Sequence, residues 1–355
     1  MIAVWKNIHP EFQLEGKPVR SITELFALLK DHDISHAKFL QEWFDDKSYI
    51  VARTSGSTGQ PKEIQIKKVN LLNSARKTID FFGLPAGTRA LLNLSTDFIA
   101  GKLMWIRAIT GGWHLDVSLP ANKSITQKLE DNFYDFGAMV PLQVDANLRF
   151  IPHIKQIIIG GAAVSEDLQQ KLYDLPTRIY ATYGMTETLT HIAVRPINKL
   201  AEQNFYTDKI QYGAYRVLDG VQISTDERNC LIIDAPGITE QPVVTNDVVK
   251  IIDRKHFQWL GRYDNIINSG GVKLIPEQIE KKLSALISAP FFVAGLQDDK
   301  LGMKLVMLVE SSPFDLPDFS QYVSKYEIPK QVYFVKKFQR TDSGKIQRAE
   351  TLKKL

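Results

Sequence analysis

Between residues 89 and 184, short apolar runs that read as strands alternate with stretches that read as helices. ALLNL (90–94), GAMV (137–140), IIIGGA (157–162) and RIYATYG (178–184) are strand-like; AGKLMWIRAI (100–109) and SEDLQQKLY (165–173) are helix-like. Strands that are apolar at almost every position belong inside a sheet covered on both faces. Their alternation with helices implies a layered α/β domain. Upstream, SYIVAR (48–53) and EIQIK (63–67) form a further pair of expected strands, Ile64 and Ile66 alternating with polar residues. Leu71, Leu72, Ala75, Ile79 and Phe82 recur at helical spacing over 70–82. Ser21-Ile-Thr-Glu24 ahead of LFALLK has the form of a capping box.

From about residue 211 the pattern changes. QYGAYRV, VQIST, CLIIDA and VVKIID, separated by Gly, Asp and Pro turns, predict a small antiparallel meander. Beyond GRYDN (261–265) a compact α+β unit is expected: a helix opening at Pro276, strands FFVAGL, KLVMLVE and QVYFVKKF, and a helix over DFSQYVSKY, followed by a basic tail. The 355 residues therefore divide into an expected N-terminal domain, 1–262, and a smaller, mobile C-terminal domain, 263–355. A hydrophobic content of 44% supports a sizeable core, and a net charge of +4 is too mild and too scattered for a nucleic-acid partner. The single cysteine, Cys230, builds neither a disulfide framework nor a cysteine metal site. No basic-then-apolar leader opens the chain, and no run reaches the ~18 apolar residues of a membrane helix, so a cytoplasmic location is expected.

The strongest local signal is TSGSTGQPK, residues 54–62. Thr54, Ser55, Ser57 and Thr58 supply hydroxyls, Gly56 and Gly59 let the backbone approach an anion, and Lys62 adds charge. It is not a Walker A loop, because it joins two expected strands rather than a strand and a helix.

This loop resembles the phosphate loop of the adenylate-forming superfamily of acyl-CoA synthetases, luciferases and peptide-synthetase adenylation domains. Further matches follow in that family's order: IIIGGAA (157–163), YGMTE (183–187), VTND (244–247), GRYDNIINSGGVKLIPEQIE (261–280) and RTDSGKIQR (340–348). The resemblance implies that ATP and Mg²⁺ are used to activate a small carboxylic acid as an acyl-adenylate, which coenzyme A then captures. It implies that Gly160 and Gly161 make room for adenine, that Tyr183 stacks beside it next to Gly184, and that Thr186 meets the α-phosphate. Glu187 then holds Mg²⁺, Asp247 the ribose hydroxyls, and Arg262 ribose or phosphate. Lys345 is the expected catalytic cation, bridging the acyl carboxylate and the α-phosphate. Asp264 is the expected hinge, and Gly270 and Gly271 approach the pantetheine arm of coenzyme A. Asn246 replaces the family's glycine, Phe98 stands where a histidine is frequent, and roughly a hundred residues usual ahead of the phosphate loop are missing.

The substrate clue is GKLMWIRAITGG (101–112), which resembles the same stretch of o-succinylbenzoate–CoA ligases of menaquinone biosynthesis. Lys102 and Arg107 are cations in an otherwise apolar helix. Each either snorkels or pairs with a protein carboxylate, or one reads a second carboxylate on the acid. Phe98 is expected to wall the acyl pocket. The alternatives are a coenzyme A ligase for another aromatic or fatty acid and a free-standing enzyme that loads a carrier protein.

Overall fold

A computed structural model describes residues 3–31, 33–53, 63–203, 205–206, 210, 212–340 and 346–355. The chain divides into two compact units: Met1–Gln222 with Ile233–Val243, and Ile223–Ile232 with Val244–Leu355. Packing thus divides the chain well before the expected 262/263 boundary, and places most of the meander with the C-terminal residues.

In the first unit, β1 (Gln13–Leu14) and β2 (Lys17–Pro18) precede α1 (Ile22–Leu28) and α2 (Ile34–Phe44). Ser21 caps α1 by accepting from the Glu24 N–H at 3.2 Å, but Glu24 reaches back to the Arg20 N–H (2.7 Å) rather than to Ser21. Next, β3 (Tyr49–Arg53) and β4 (Glu63–Lys67) pair antiparallel, so residues 54–62 do link two strands. α3 (Lys68–Phe82) ends at Gly83, in the left-handed conformation typical of a helix stop. Then come β5 (Arg89–Leu92), α4 (Ile99–Gly111), β6 (His114–Val117), α5 (Asn122–Asp131), β7 (Tyr134–Met139), α6 (Pro141–Ala146), β8 (Ile154–Ile159), α7 (Glu166–Leu172), β9 (Arg178–Gly184), β10 (His191–Pro196), α8 (Lys199–Glu202) and β11 (Tyr215–Val217).

The strands of this unit run β11-β10-β9-β8-β7-β5-β6-β1-β2. From β9 through β1 neighbours are parallel; β2, β10 and β11 add antiparallel edges. Leu91, Met139, Ile157, Ile159 and Ile179 share a core with Leu168 and Leu172 of α7. α4 is buried at every residue from Gly101 to Ile109, which is why its sequence lacks a polar face. The carboxyl ends of the parallel strands, where ligands collect in open α/β sheets, carry the 160–161 and 183–187 motifs.

The second unit holds most of the meander: β12 (Gln222–Thr225), β13 (Cys230–Asp234), β14 (Val243–Ile251) and β15 (His256–Arg262). A five-stranded sheet follows, in the order β17-β16-β19-β18 with β20 beside β19: β16 (Ile267–Ser269), β17 (Val272–Leu274), β18 (Phe291–Asp298), β19 (Gly302–Glu310) and β20 (Gln331–Val335). α9 (Pro276–Leu283) buries Ile279 and Leu283 against Val293, Leu305 and Met307 of this sheet, and α10 (Arg348–Leu352) ends the unit. The helix expected over DFSQYVSKY shrinks to one 3₁₀ turn, Phe319–Gln321. Only Phe319 and Val323 are buried there. Asp318 caps the turn by taking the Ser320 N–H (2.9 Å), but Glu327 takes the Ser324 N–H (2.9 Å), a donor that a continuing helix would use.

Candidate active site

At the end of β8, the Gly160 N–H donates to the Met139 carbonyl (3.1 Å), and a Cβ on Gly160 would lie 2.6 Å from Thr182 Oγ1 on β9. Gly161 follows, exposed, in the turn. Tyr183 is half-buried, its ring 5.6 Å from that of Tyr215 at 60°. Gly184 pairs with His191, and a side chain there would run into the Thr190 carbonyl, so β10 can start this close only against glycine.

Between these strands, residues 186–188 form a 3₁₀ turn. The buried Thr188 hydroxyl locks it, accepting from the Met185 N–H (3.0 Å) and donating to the Thr190 carbonyl (2.8 Å). Leu189 then takes φ 62°, ψ −41°, a strained conformation for a non-glycine residue that its burial holds in place. Thr186 is half-buried and Glu187 exposed on this preset turn. Among the described residues no three His, Cys, Asp or Glu gather into a metal site. A lone exposed carboxylate suits Mg²⁺ shared with substrate phosphates rather than an all-protein cage.

Behind the turn lies the buried His191. Its Nε2 is 3.4 Å from Thr78 Oγ1 and its Nδ1 3.4 Å from Thr190 Oγ1. Thr78 donates its own proton to the Ser74 carbonyl (3.2 Å), which leaves its oxygen to accept from Nε2. Burial and the neighbouring Arg107 charge both push the imidazole well below its ordinary pKa.

Arg107 is 2% exposed. Its Nη1 faces only the Met104 sulfur at 3.6 Å, and Nε and Nη2 have no hydrogen-bond partner among the described residues. Burial drags the guanidinium down to about 9. Asn93 and Thr96, just ahead of α4, also bury side-chain atoms without partners among the described residues. Lys102 is different. Its Nζ is 3.8 Å from Glu42 and 4.9 Å from the centre of the Phe39 ring, so a protein carboxylate already answers its charge. Phe98 is 60% exposed at the start of the helix.

In the second unit, Asp247 on β14 is 6% exposed. Trp259 Nε1 donates to its Oδ1 (3.1 Å), and Arg262 Nη1 lies 3.7 Å from the same oxygen. Arg262 also donates to Asp264 Oδ2 (2.9 Å). Asn246 Nδ2 donates to both Asp264 oxygens (3.2 and 3.3 Å), while Arg228 Nη1 donates to Asn246 Oδ1 (3.1 Å). The residue in place of the family's glycine therefore ties β14 to Asp264. Gly270 (φ 58°) and Gly271 (φ 82°) form the two-residue turn between β16 and β17, where both positions need the left-handed region.

Thr54, Ser55, Gly56, Ser57, Thr58, Gly59, Lys62 and Lys345 lie outside the described residues. Arg340 and Arg348, on either side of residues 341–345, are both held by ion pairs. Arg340 forms a two-pronged ion pair with Glu310, which keeps that carboxyl below its usual range. Arg348 clamps Glu280 through bonds of 2.7 and 2.8 Å, and Arg340 bridges Ile346.

Sequence reasoning missed Trp259, His191, Thr188, Asn93 and Thr96. Thr188 and His191 lie within a few residues of the YGMTE motif, Trp259 two residues before GRYDN, and Asn93 and Thr96 within five residues of Phe98, so each carried a positional signal. Two clefts, of about 310 and 340 Å³, share Phe82, Gln156 and Arg178 at the amino ends of β8 and β9; neither contains a motif residue.

Comparison with known proteins gives the following. The model of the family described as AMP-binding enzyme matches residues 18–223. A 2-succinylbenzoate–CoA ligase of Listeria monocytogenes is 24% identical over 91% of this chain and 73% of its own. The solved acyl-CoA synthetase (AMP-forming)/AMP-acid ligase II-like protein of Dyadobacter fermentans is 35% identical, with 89% of this chain and 92% of that one covered and a TM-score of 0.59. The o-succinylbenzoate coenzyme A synthetase of Bacillus subtilis, solved with ATP and magnesium ion, shares the fold at 18% identity, 85% and 69% coverage and a TM-score of 0.72.

Proposed function

The chain belongs to the AMP-binding enzyme family, and from that premise we propose that it is an AMP-forming acid–CoA ligase whose acid is the dicarboxylate 2-succinylbenzoate. The observation that carries the substrate is Arg107: a buried guanidinium with two nitrogens lacking partners among the described residues. A buried cation without a counter-charge is costly. A ligand carboxylate would supply the missing charge and acceptors, and a diacid has one left over after the other is activated. The relatives named as 2-succinylbenzoate–CoA ligases support the same acid.

The chemistry proceeds in two steps. A carboxylate oxygen of the acid attacks the α-phosphorus of ATP, the bond to the β-phosphate oxygen breaks, and pyrophosphate leaves. The thiolate of coenzyme A then attacks the acyl carbon of the mixed anhydride and AMP departs. Both steps gather anions, so the protein's work is positioning and charge stabilisation. In this reading the Thr186 hydroxyl donates to the α-phosphate from its preset turn, and Glu187 would hold Mg²⁺, which would supply charge neutralisation to the phosphates. Gly160, Gly161 and Tyr183 frame the adenine. Asp247 accepts from the ribose hydroxyls, with Arg262 beside it. The 54–62 loop takes the outer phosphates, and Lys345 bridges the carboxylate and the α-phosphate during adenylation alone. Residues 263–355 then turn about Asp264, and Gly270–Gly271 face the pantetheine arm.

The test compares kcat/KM for 2-succinylbenzoate with that for the analogue whose non-reacting carboxylate is a methyl ester, in wild type and Arg107→Met. Wild type should prefer the diacid by about 10³-fold or more, since the ester leaves the guanidinium unanswered, and Arg107→Met should erase most of the gap. Equal rates for ester and diacid in wild type would refute the diacid assignment.

A further inference from the structure

We infer that Trp259 is a positioning residue for nucleotide selection: its indole N–H fixes the Asp247 carboxylate in the orientation that reads the ribose hydroxyls. This rests on the assignment of Asp247 to the ribose made above. The observation is a hydrogen bond that the strand register has to be broken to make. Asp247 pairs with Arg262 across the β14–β15 ladder, so both side chains share one face. Three residues along β15 from Arg262, position 259 belongs on the opposite face. A bulge between Val248 and Val249 removes one step, and Val249 pairs with Trp259 instead of Leu260. Val249 and Asp247 are two apart on β14, so the bulge brings the indole onto the Asp247 face. Re-aiming a side chain is a regular use of bulges.

The consequence is specific. Trp259 Nε1 lies 3.1 Å from Asp247 Oδ1, the oxygen that Arg262 approaches at 3.7 Å. Indole is a donor only, so it cannot compete for the ribose protons. It can only hold the acceptor in place. A carboxylate oxygen held by the indole presents a defined lone-pair geometry to a diol. Asp247 is 6% exposed, so water does little to replace that anchor. Phenylalanine keeps the ring and loses the donor.

The experiment measures acid-dependent pyrophosphate exchange with ATP and with 3′-deoxy-ATP, at saturating acid, for the wild-type, Trp259→Phe and Asp247→Asn full-length proteins. Each preference is a ratio on one preparation, so any loss of folded protein cancels. Trp259→Phe should raise KM for ATP about tenfold, the size of one hydrogen bond to a charged group. It should hold kcat within about threefold and reduce the preference for ATP over 3′-deoxy-ATP by a similar factor. Asp247→Asn should lose that preference altogether. If Asp247→Asn loses it while Trp259→Phe keeps the wild-type ratio, Asp247 reads the ribose unaided and the positioning role is refuted. If Asp247→Asn also keeps the ratio, the ribose assignment fails and the inference falls with it.

Discussion

Replacing Arg107 by methionine should make this protein more stable and less useful. The side chain is 2% exposed on a helix buried along most of its length, and two of its nitrogens have no partner among the described residues. A fall from 12.5 to about 9 on burial corresponds to about 5 kcal/mol against the charged form. Methionine fills a similar volume without charge, but repacks imperfectly. The expected net gain is about 1–4 kcal/mol, the range seen when buried ion pairs give way to apolar residues of similar volume. The pH dependence has a definite sign. A cation whose folded pKa is depressed costs stability below the folded value, and that cost is relieved as pH rises through it. The wild-type deficit relative to Arg107→Met should therefore be full at pH 7 and shrink from about pH 9 upward. Urea unfolding of both proteins at pH 7, 8.5 and 10 measures this. A variant that is less stable than wild type at pH 7, or a difference that does not change with pH, would show that Arg107 is a structural member of the core and not an unanswered charge awaiting a ligand.

Other residues separate the two half-reactions. Lys345→Ala should lose about 10²–10³-fold or more in adenylation and leave thioester formation from supplied acyl-adenylate near wild type; equal losses in both would remove the basis for domain alternation. Asn246→Gly frees Asp264 of two exposed hydrogen bonds, so rapid-mixing measurements should show thioester formation faster by a small factor, about two- to fivefold. Asp264→Pro should slow that step while pyrophosphate exchange continues, because proline fixes the backbone angle a hinge must change. A wild-type thioester rate in Asp264→Pro would place the hinge elsewhere.

The α/β layering was legible because burial on both faces writes itself into sequence: strands such as Ile157–Ile159 have no polar alternation, and α4 has no polar face. Motif order singles out Gly160, Tyr183, Thr186 and Asp247 as candidates for the site. What stayed illegible depends on contacts distant in sequence. Lys102 and Arg107 look alike in the chain, yet Glu42 on α2 reaches only Lys102. Trp259 gains its contact through a register shift that no periodicity announces. Asn246 stands out as a departure from the family's glycine, but its bond to Asp264 needs two strands in place. DFSQYVSKY stops after one capped 3₁₀ turn, because Glu327 takes the Ser324 N–H that the next helical turn would need. The expected 262/263 boundary follows the change to an α+β pattern after GRYDN, whereas the packing units group most of the meander with the C-terminal sheet.

The central claim is that this chain joins a dicarboxylic acid to coenzyme A through an adenylate, and product identity tests it most directly. The purified protein, incubated with ATP, Mg²⁺, coenzyme A and 2-succinylbenzoate, should yield the acyl-CoA thioester with one AMP and one pyrophosphate per thioester. Without coenzyme A, the acyl-adenylate should accumulate to about one equivalent of enzyme. Formation of ADP and phosphate in place of AMP and pyrophosphate, or turnover of benzoate and hexanoate as fast as the diacid, would contradict the account.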